Sequence, residues 1–255
     1  MSAAPEARGL HPALEVRDLH KMFGGLKVTS GVSLSVAAGE RRLLIGPNGA
    51  GKTTLFNLIT GDLRPTDGRI LLFGADITAL PSRRRAHLGL ARTYQIITLF
   101  ANETLRHNVM LALLGISARR WNPLRRFDRD AALAAAADAV LARVGLAHLA
   151  AREVRETAYG EQRRVEIALA LAQRPRVLLL DEPFAGLSAE ERRDVAALID
   201  AIPPEVTVVM IEHDMDAALD LVDRITLLDF GRVVVEGTRA EVVADARTRA
   251  VYLGG

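Results

Sequence analysis

Cysteine is absent from the 255-residue chain. That excludes disulfides, thiolate nucleophiles and cysteine-held metal centres. Aromatic residues are only 4 % of the composition, which leaves little material for stacking platforms along single-stranded nucleic acid. The apolar runs, such as Val177–Leu180 and Val208–Ile211, are far too short to span a bilayer, and no signal peptide precedes the first strand. Charge of one sign is also missing. The formal balance is +2, and the arginine pairs Arg83-Arg84, Arg119-Arg120, Arg125-Arg126 and Arg163-Arg164 are scattered, as solvated faces or ordinary ion-pair partners are. These absences point to a cytoplasmic protein whose membrane attachment, if any, comes through a partner. Lysine is the scarcest of the common charged residues. Of 33 basic residues only Lys21, Lys27 and Lys52 are lysine.

What is present centres on Lys52. Gly46-Pro47-Asn48-Gly49-Ala50-Gly51-Lys52-Thr53 is a phosphate-binding loop between a short apolar strand, Leu43-Leu44-Ile45, and a helix from Thr54 to Thr60 that Gly61 stops. Its glycines let backbone N–H groups wrap phosphates, and the helix N-terminus adds its positive dipole end. Lys52 reaches the β- and γ-phosphates, the Thr53 hydroxyl ligates Mg2+, and Thr54 continues the loop into the helix. An arginine-rich chain keeps lysine where a compact ammonium must fit a tight loop.

The rest of the chain reads as α/β. Residues 1–12 have no periodicity and are expected to be a flexible tail, with one domain over 13–255. Leu14–Leu19 and Val32–Val36 alternate as half-exposed antiparallel strands do, and Ile70–Phe73 reads as another strand. From about 100 to 156 the pattern is helical, with Leu133, Ala136, Val140, Leu141 and Val144 at core spacing before Gly145. Short, wholly apolar strands follow at 177–180, 207–211 and 225–228, as in a parallel sheet covered on both faces. A helix opens at Ser188 with Glu191 three residues on, a capping-box spacing. The expected architecture is a phosphate-loop NTPase core, RecA-like, with an antiparallel β subdomain and a helical subdomain inserted at about 96–160.

Two further strand ends carry chemistry. Val177–Leu180 runs into Asp181-Glu182, an acid pair that a buried strand tolerates only where it meets a cation or ligand. Asp181 suits Mg2+, and Glu182 suits the water that attacks a γ-phosphate. Thr207–Ile211 ends in Glu212-His213, where His213 can hydrogen-bond a γ-phosphate oxygen.

Taken in order, the phosphate loop, Gln95, the 157–166 segment, Asp181-Glu182 and His213 resemble the motif set of an ABC-type ATPase over essentially the whole chain beyond the tail. The resemblance implies that Phe23 stacks on adenine and that Gln95 touches Mg2+ and the attacking water. It also implies that Ala185–Ser188 crosses to a partner subunit. The signature reads Thr157-Ala158-Tyr159-Gly160-Glu161 where Leu-Ser-Gly-Gly-Gln is usual, so Ala158 lacks the hydroxyl that family serines offer to the partner's γ-phosphate. Ala158, Tyr159, Gly160 and Glu161 are nonetheless the implied contacts to the partner's ATP.

Phe23–Leu26, Arg92–Gln95, the Ala-Tyr-Gly-x-Gln-Arg-Arg-x-Glu segment, Ile211–Met215 and Val251–Gly254 together resemble ATP-binding subunits of branched-chain amino acid importers. Urea and short-amide importers belong to the same branch. Lipopolysaccharide export ATPases, and soluble ABC proteins acting on nucleic acid or ribosomes, remain as alternatives. The resemblance implies ATP and Mg2+ and integral membrane permease subunits docking near residues 96–112. It further implies a second ATPase subunit (as heterodimer or homodimer), an indirectly linked substrate-binding protein, no nucleic acid, and a peripheral position on the cytoplasmic face of the cell membrane.

Overall fold

The computed structural model describes residues 11–95, 97–117, 130–213 and 215–253. The pairs Arg119-Arg120 and Arg125-Arg126, with Ile96, Asp214, Gly254 and residues 1–10, lie outside them. The first elements are β1 (Leu14–Phe23), β2 (Leu26–Val36), β3 (Arg41–Ile45), α1 (Lys52–Thr60), β4 (Asp67–Leu72), β5 (Ala75–Asp76) and α2 (Ser82–His87). Then come β6 (Leu90–Arg92), α3 (Leu105–Ile116), α4 (Ala131–Arg143), α5 (Tyr159–Ala172), β7 (Val177–Asp181) and α6 (Ala189–Asp200). The chain closes with β8 (Thr207–Ile211), α7 (Met215–Ala218), β9 (Arg224–Asp229), β10 (Arg232–Gly237), α8 (Arg239–Ala244) and α9 (Ala246–Leu253). Two compact units result: Met1–Arg85 with Pro203–Gly255, and Ala86–Ile202.

The first unit contains the antiparallel sheet β2-β1-β4-β5 and the strands β10-β9-β3-β8. β3 is central there, parallel to both β8 and β9, and its Leu43, Leu44 and Ile45 are buried. Such two-faced burial explains why the strand is apolar rather than alternating. Arg42 is also buried, because its guanidinium is satisfied by Glu40, Thr226, Glu236 and the Ser35 carbonyl. Strand β1 runs farther than its alternation suggests. The register shifts between Val16 and Leu19, where Asp18 takes a left-handed φ of 47°, and pairing resumes to Phe23. Gly61 ends α1 as expected, and the buried Arg85 reinforces that end by donating to the Leu58 and Ile59 carbonyls, each at 2.7 Å.

In the second unit β6 pairs in parallel with β7, Leu90 opposite Val177 and Arg92 opposite Leu179. Beside them α3, α4 and α5 share a core of Leu105, Val109, Met110, Ala137, Leu141, Val144, Val165 and Ala168. Ala137 faces this core, and Ala136, the residue expected there, is exposed. An alanine run offers no size contrast by which to choose between neighbouring positions. Ser188 caps α6, accepting from Glu191 N at 3.3 Å while Glu191 reaches back to Ser188 N at 2.8 Å.

Candidate functional site

The chain leaves β3 through Gly46 at φ 150°, and a Cβ there would collide with the Leu228 carbonyl. Only glycine lets the loop turn this closely over the strand end. Lys52 folds back into the loop, 5 % exposed, and its Nζ donates to the carbonyls of Gly46 at 2.7 Å and Pro47 at 3.0 Å. The ammonium is thereby held at the loop's centre. Gly51 heads α1 with no side-chain cap, and no acidic residue sits in the first turn, so the helix N-terminus keeps its affinity for an anion. The Thr53 side chain is on the exposed face of this turn.

Register places His213 at the same end of the sheet. Leu44 of β3 stands opposite Ile211 of β8, so the loop after Ile45 and the two residues after Ile211 leave neighbouring strands in the same direction. His213 is exposed. Phe23 lies at the tip of the β1–β2 hairpin, 47 % exposed, with Lys21 Nζ 4.9 Å from its ring centroid. An aromatic face left this open can receive a planar base.

In the second unit the β6–β7 pairing carries the acid pair and the glutamine together. Arg92 Nη2 donates to Asp181 Oδ2 at 2.6 Å, and Thr93 Oγ1 accepts from Asp181 N at 3.2 Å. Burial pushes the Asp181 carboxyl above the usual range, opposed by Arg92 and assisted by the charge of Glu182. Its Oδ1 is buried without a hydrogen-bond partner. A buried carboxylate oxygen left over in this way is a ready cation ligand. Three residues on from the paired Arg92 and Leu179, Gln95 Nε2 donates to Glu182 Oε2 at 2.9 Å. Glu182 itself has φ 49°, a left-handed conformation that costs a non-glycine residue energy and gathers at functional sites.

The signature segment forms the start of α5. Ala158 is its N-cap and Glu161 Oε2 accepts from Ala158 N at 2.8 Å. The Gly160 N–H, expected to face a phosphate, donates to Glu191 Oε1 at 3.1 Å, and a Cβ on Gly160 would collide with that carboxylate. Ser188 N–H and O–H, then Gly160 N–H and Arg164, keep the Glu191 carboxyl below its ordinary range. Two carboxylates therefore stand at this helix start, and Glu191 must release Gly160 before an anion can use that N–H. Tyr159, 44 % exposed, lies against Gly186.

The N-cap geometry also yields a prediction. Ala158 has the extended φ and ψ of a capping serine, so Ala158→Ser should cap its own helix and add about 1 kcal/mol, or roughly 2–4 °C in melting temperature without nucleotide. An unchanged melt would mean the hydroxyl points away from the helix.

Three polar residues matter here beyond those expected. Arg92 neutralises Asp181, while Arg163 and Glu166 form a buried pair at 2.7 Å. Of the two expectations for this arginine, Arg163 meets the ion-pair one and not the solvated face. The three-residue step from Arg163 to Glu166, which sets opposite charges on one face of a helix, was the available signal.

A glycine loop closed on a buried lysine at the head of a helix is the geometry of a phosphate-binding loop. The model of the family described as ABC transporter matches residues 29–185. The chain is 40 % identical over 254 residues to the high-affinity branched-chain amino acid transport ATP-binding protein BraF of Pseudomonas aeruginosa, covering 95 % of this chain and 98 % of that one. It is 38 % identical to LivG of Escherichia coli K12, which has the same description, with the same coverage. The crystal structure of the ADP conformation of an ATP-binding cassette of an ABC transporter matches with a TM-score of 0.83 at 30 % identity, over 95 % of this chain and 99 % of that chain. The chain belongs to the ABC transporter family.

Proposed function

We propose that this chain is the ATP-hydrolysing subunit of an importer for branched-chain amino acids. The observation that carries the substrate class is the end-to-end likeness to ATP-binding proteins of branched-chain amino acid transport. In this reading the loop Gly46–Thr54 cradles the phosphates, Lys52 neutralises them and Phe23 stacks on the adenine. Glu182 accepts a proton from, or orients, the water whose oxygen bonds to the γ-phosphorus as the bond to the ADP oxygen breaks. Gln95 orients the same water from its place beside Glu182, and His213 donates to a γ-phosphate oxygen. Thr53, Gln95 and Asp181, whose partnerless Oδ1 suits a cation, would hold Mg2+, and the ion would supply charge neutralisation at the phosphates.

Ala158, Tyr159, Gly160 and Glu161 meet the ATP of a second ATPase subunit, and closure of the two subunits around ATP drives the permease. No described helix is long and apolar enough to cross a membrane, so attachment to the cytoplasmic face runs through permease subunits. The exposed Tyr94 and Phe100 suit that contact. A substrate-binding protein takes part indirectly, and nucleic acid does not.

The test is uptake. Deleting the gene should abolish high-affinity leucine, isoleucine and valine import, restored by the wild-type chain and not by Glu182→Gln. Normal leucine uptake with lost urea or amide uptake would move the assignment to that neighbouring class.

A further inference from the structure

Tyr94, Gln95 and Thr98 follow β6 outside any helix or strand, so their backbone groups need partners from elsewhere. They find them on α5. Arg163 Nη1 donates to the Tyr94 carbonyl at 2.9 Å and to Glu166 Oε2 at 2.7 Å, and Arg163 Nη2 donates to the Gln95 carbonyl at 3.3 Å. Glu166 Oε1 accepts from Thr98 N at 3.4 Å. One ion pair, 0 % and 5 % exposed, thus grips both ends of the stretch from Tyr94 to Thr98.

Stability alone is a poor reason for this pair. A buried ion pair gains little over apolar side chains of the same volume. Here Arg163 Nε is also left without a partner, and burial pushes the Glu166 carboxyl up against the pull of Arg163. What the pair does supply is direction. Its donors and acceptor face the backbone around Gln95, whose side chain donates to Glu182 at 2.9 Å.

We propose that Arg163 and Glu166 are positioning residues for hydrolysis, fixing the backbone around Gln95 to α5 and thereby setting the Gln95 amide against Glu182. The inference rests on the reading of Gln95 and Glu182 given above. Its consequence is mechanical. The same helix begins with Ala158–Glu161, so a displacement of the signature end of α5 carries the Gln95 backbone with it. Contact with the partner's ATP would then be felt at the water-orienting glutamine of this chain without any change in the phosphate loop.

A mutant cycle on the full-length chain separates this from a merely structural role. Arg163→Lys and Gln95→Ala are made singly and together, and kcat and KM for ATP are measured beside the thermal melt. Gln95→Ala should lower kcat about tenfold, and Arg163→Lys about tenfold with KM within about twofold. The double variant should also fall only about tenfold, because both changes remove one function. Losses that multiply to about a hundredfold would overturn the link between Arg163 and Gln95. Full activity of Gln95→Ala alone would instead overturn the reading on which the link rests. Should Arg163→Lys fail to fold, Glu166→Gln carries the same cycle. It keeps the volume and an acceptor for Thr98 N while removing the charge that orients Arg163.

Discussion

Glu182→Gln should bind ATP within about threefold of the wild type and lose turnover by a factor of about 10² to 10⁴, the range a positioned general base contributes. The glutamine has the same volume and can meet the left-handed backbone at φ 49° at no greater cost than glutamate. Its amide can turn its oxygen toward Gln95 Nε2 and so preserve that contact. What it cannot do is take a proton from water. Hydrolysis within about threefold of wild type would sink the role given to Glu182.

The same variant holds ATP long enough to examine pairing. Closure needs ATP charges bridged from both sides before two like surfaces stay together. Here the signature start is occupied by Glu161 and Glu191, and Ala158 has no hydroxyl to offer. Light scattering of Glu182→Gln at micromolar concentration should therefore give monomer without nucleotide and only a weak homodimer with ATP. The working pair would be a heterodimer with a second ATPase subunit. A tight, fully populated homodimer would favour a symmetric transporter of the lipopolysaccharide-export kind.

Local signals in the sequence were reliable where the physics is local. The apolar run Thr207–Ile211 is β8, Gly61 ends α1, and Ser188 with Glu191 caps α6. The phosphate loop is legible for the same reason, since its contacts to Lys52 span only five and six residues. Pairings across long separations were not legible. Arg92 meets Asp181 from 89 positions away, and Arg163 reaches the Tyr94 and Gln95 carbonyls from 69 and 68. An arginine read alone looks like a surface residue, because nothing in its neighbourhood announces the carbonyls and carboxylate that satisfy it in the interior. The Asp18 bulge was hidden too, because extending β1 past it depends on what β4 and β2 present rather than on the alternation of β1 itself. The acid contacts at the start of α5 were likewise invisible, since Glu191 belongs to another helix and its own spacing announced only a cap.

Lys52→Ala should all but abolish nucleotide binding while leaving the fold in place. The side chain is buried in its own loop, and its ammonium donates to the Gly46 and Pro47 carbonyls. On binding, the same compact group must move its donors toward phosphate oxygens. Charge-assisted hydrogen bonds contribute about 1.5–3 kcal/mol each, so losing two predicts a weakening of about 10² to 10⁴-fold. Calorimetry measures it directly, and affinity within about tenfold of wild type would count against the loop assignment. Lys52→Arg makes the argument sharper. A planar guanidinium with its donors in a fixed fork cannot collapse onto two adjacent carbonyls and then swing to phosphate as a rotating ammonium can. Arginine should therefore restore little of the lost affinity, although it restores the charge. In a chain where 30 of 33 basic residues are arginine, the lysine at this position reflects the shape of the group the loop needs.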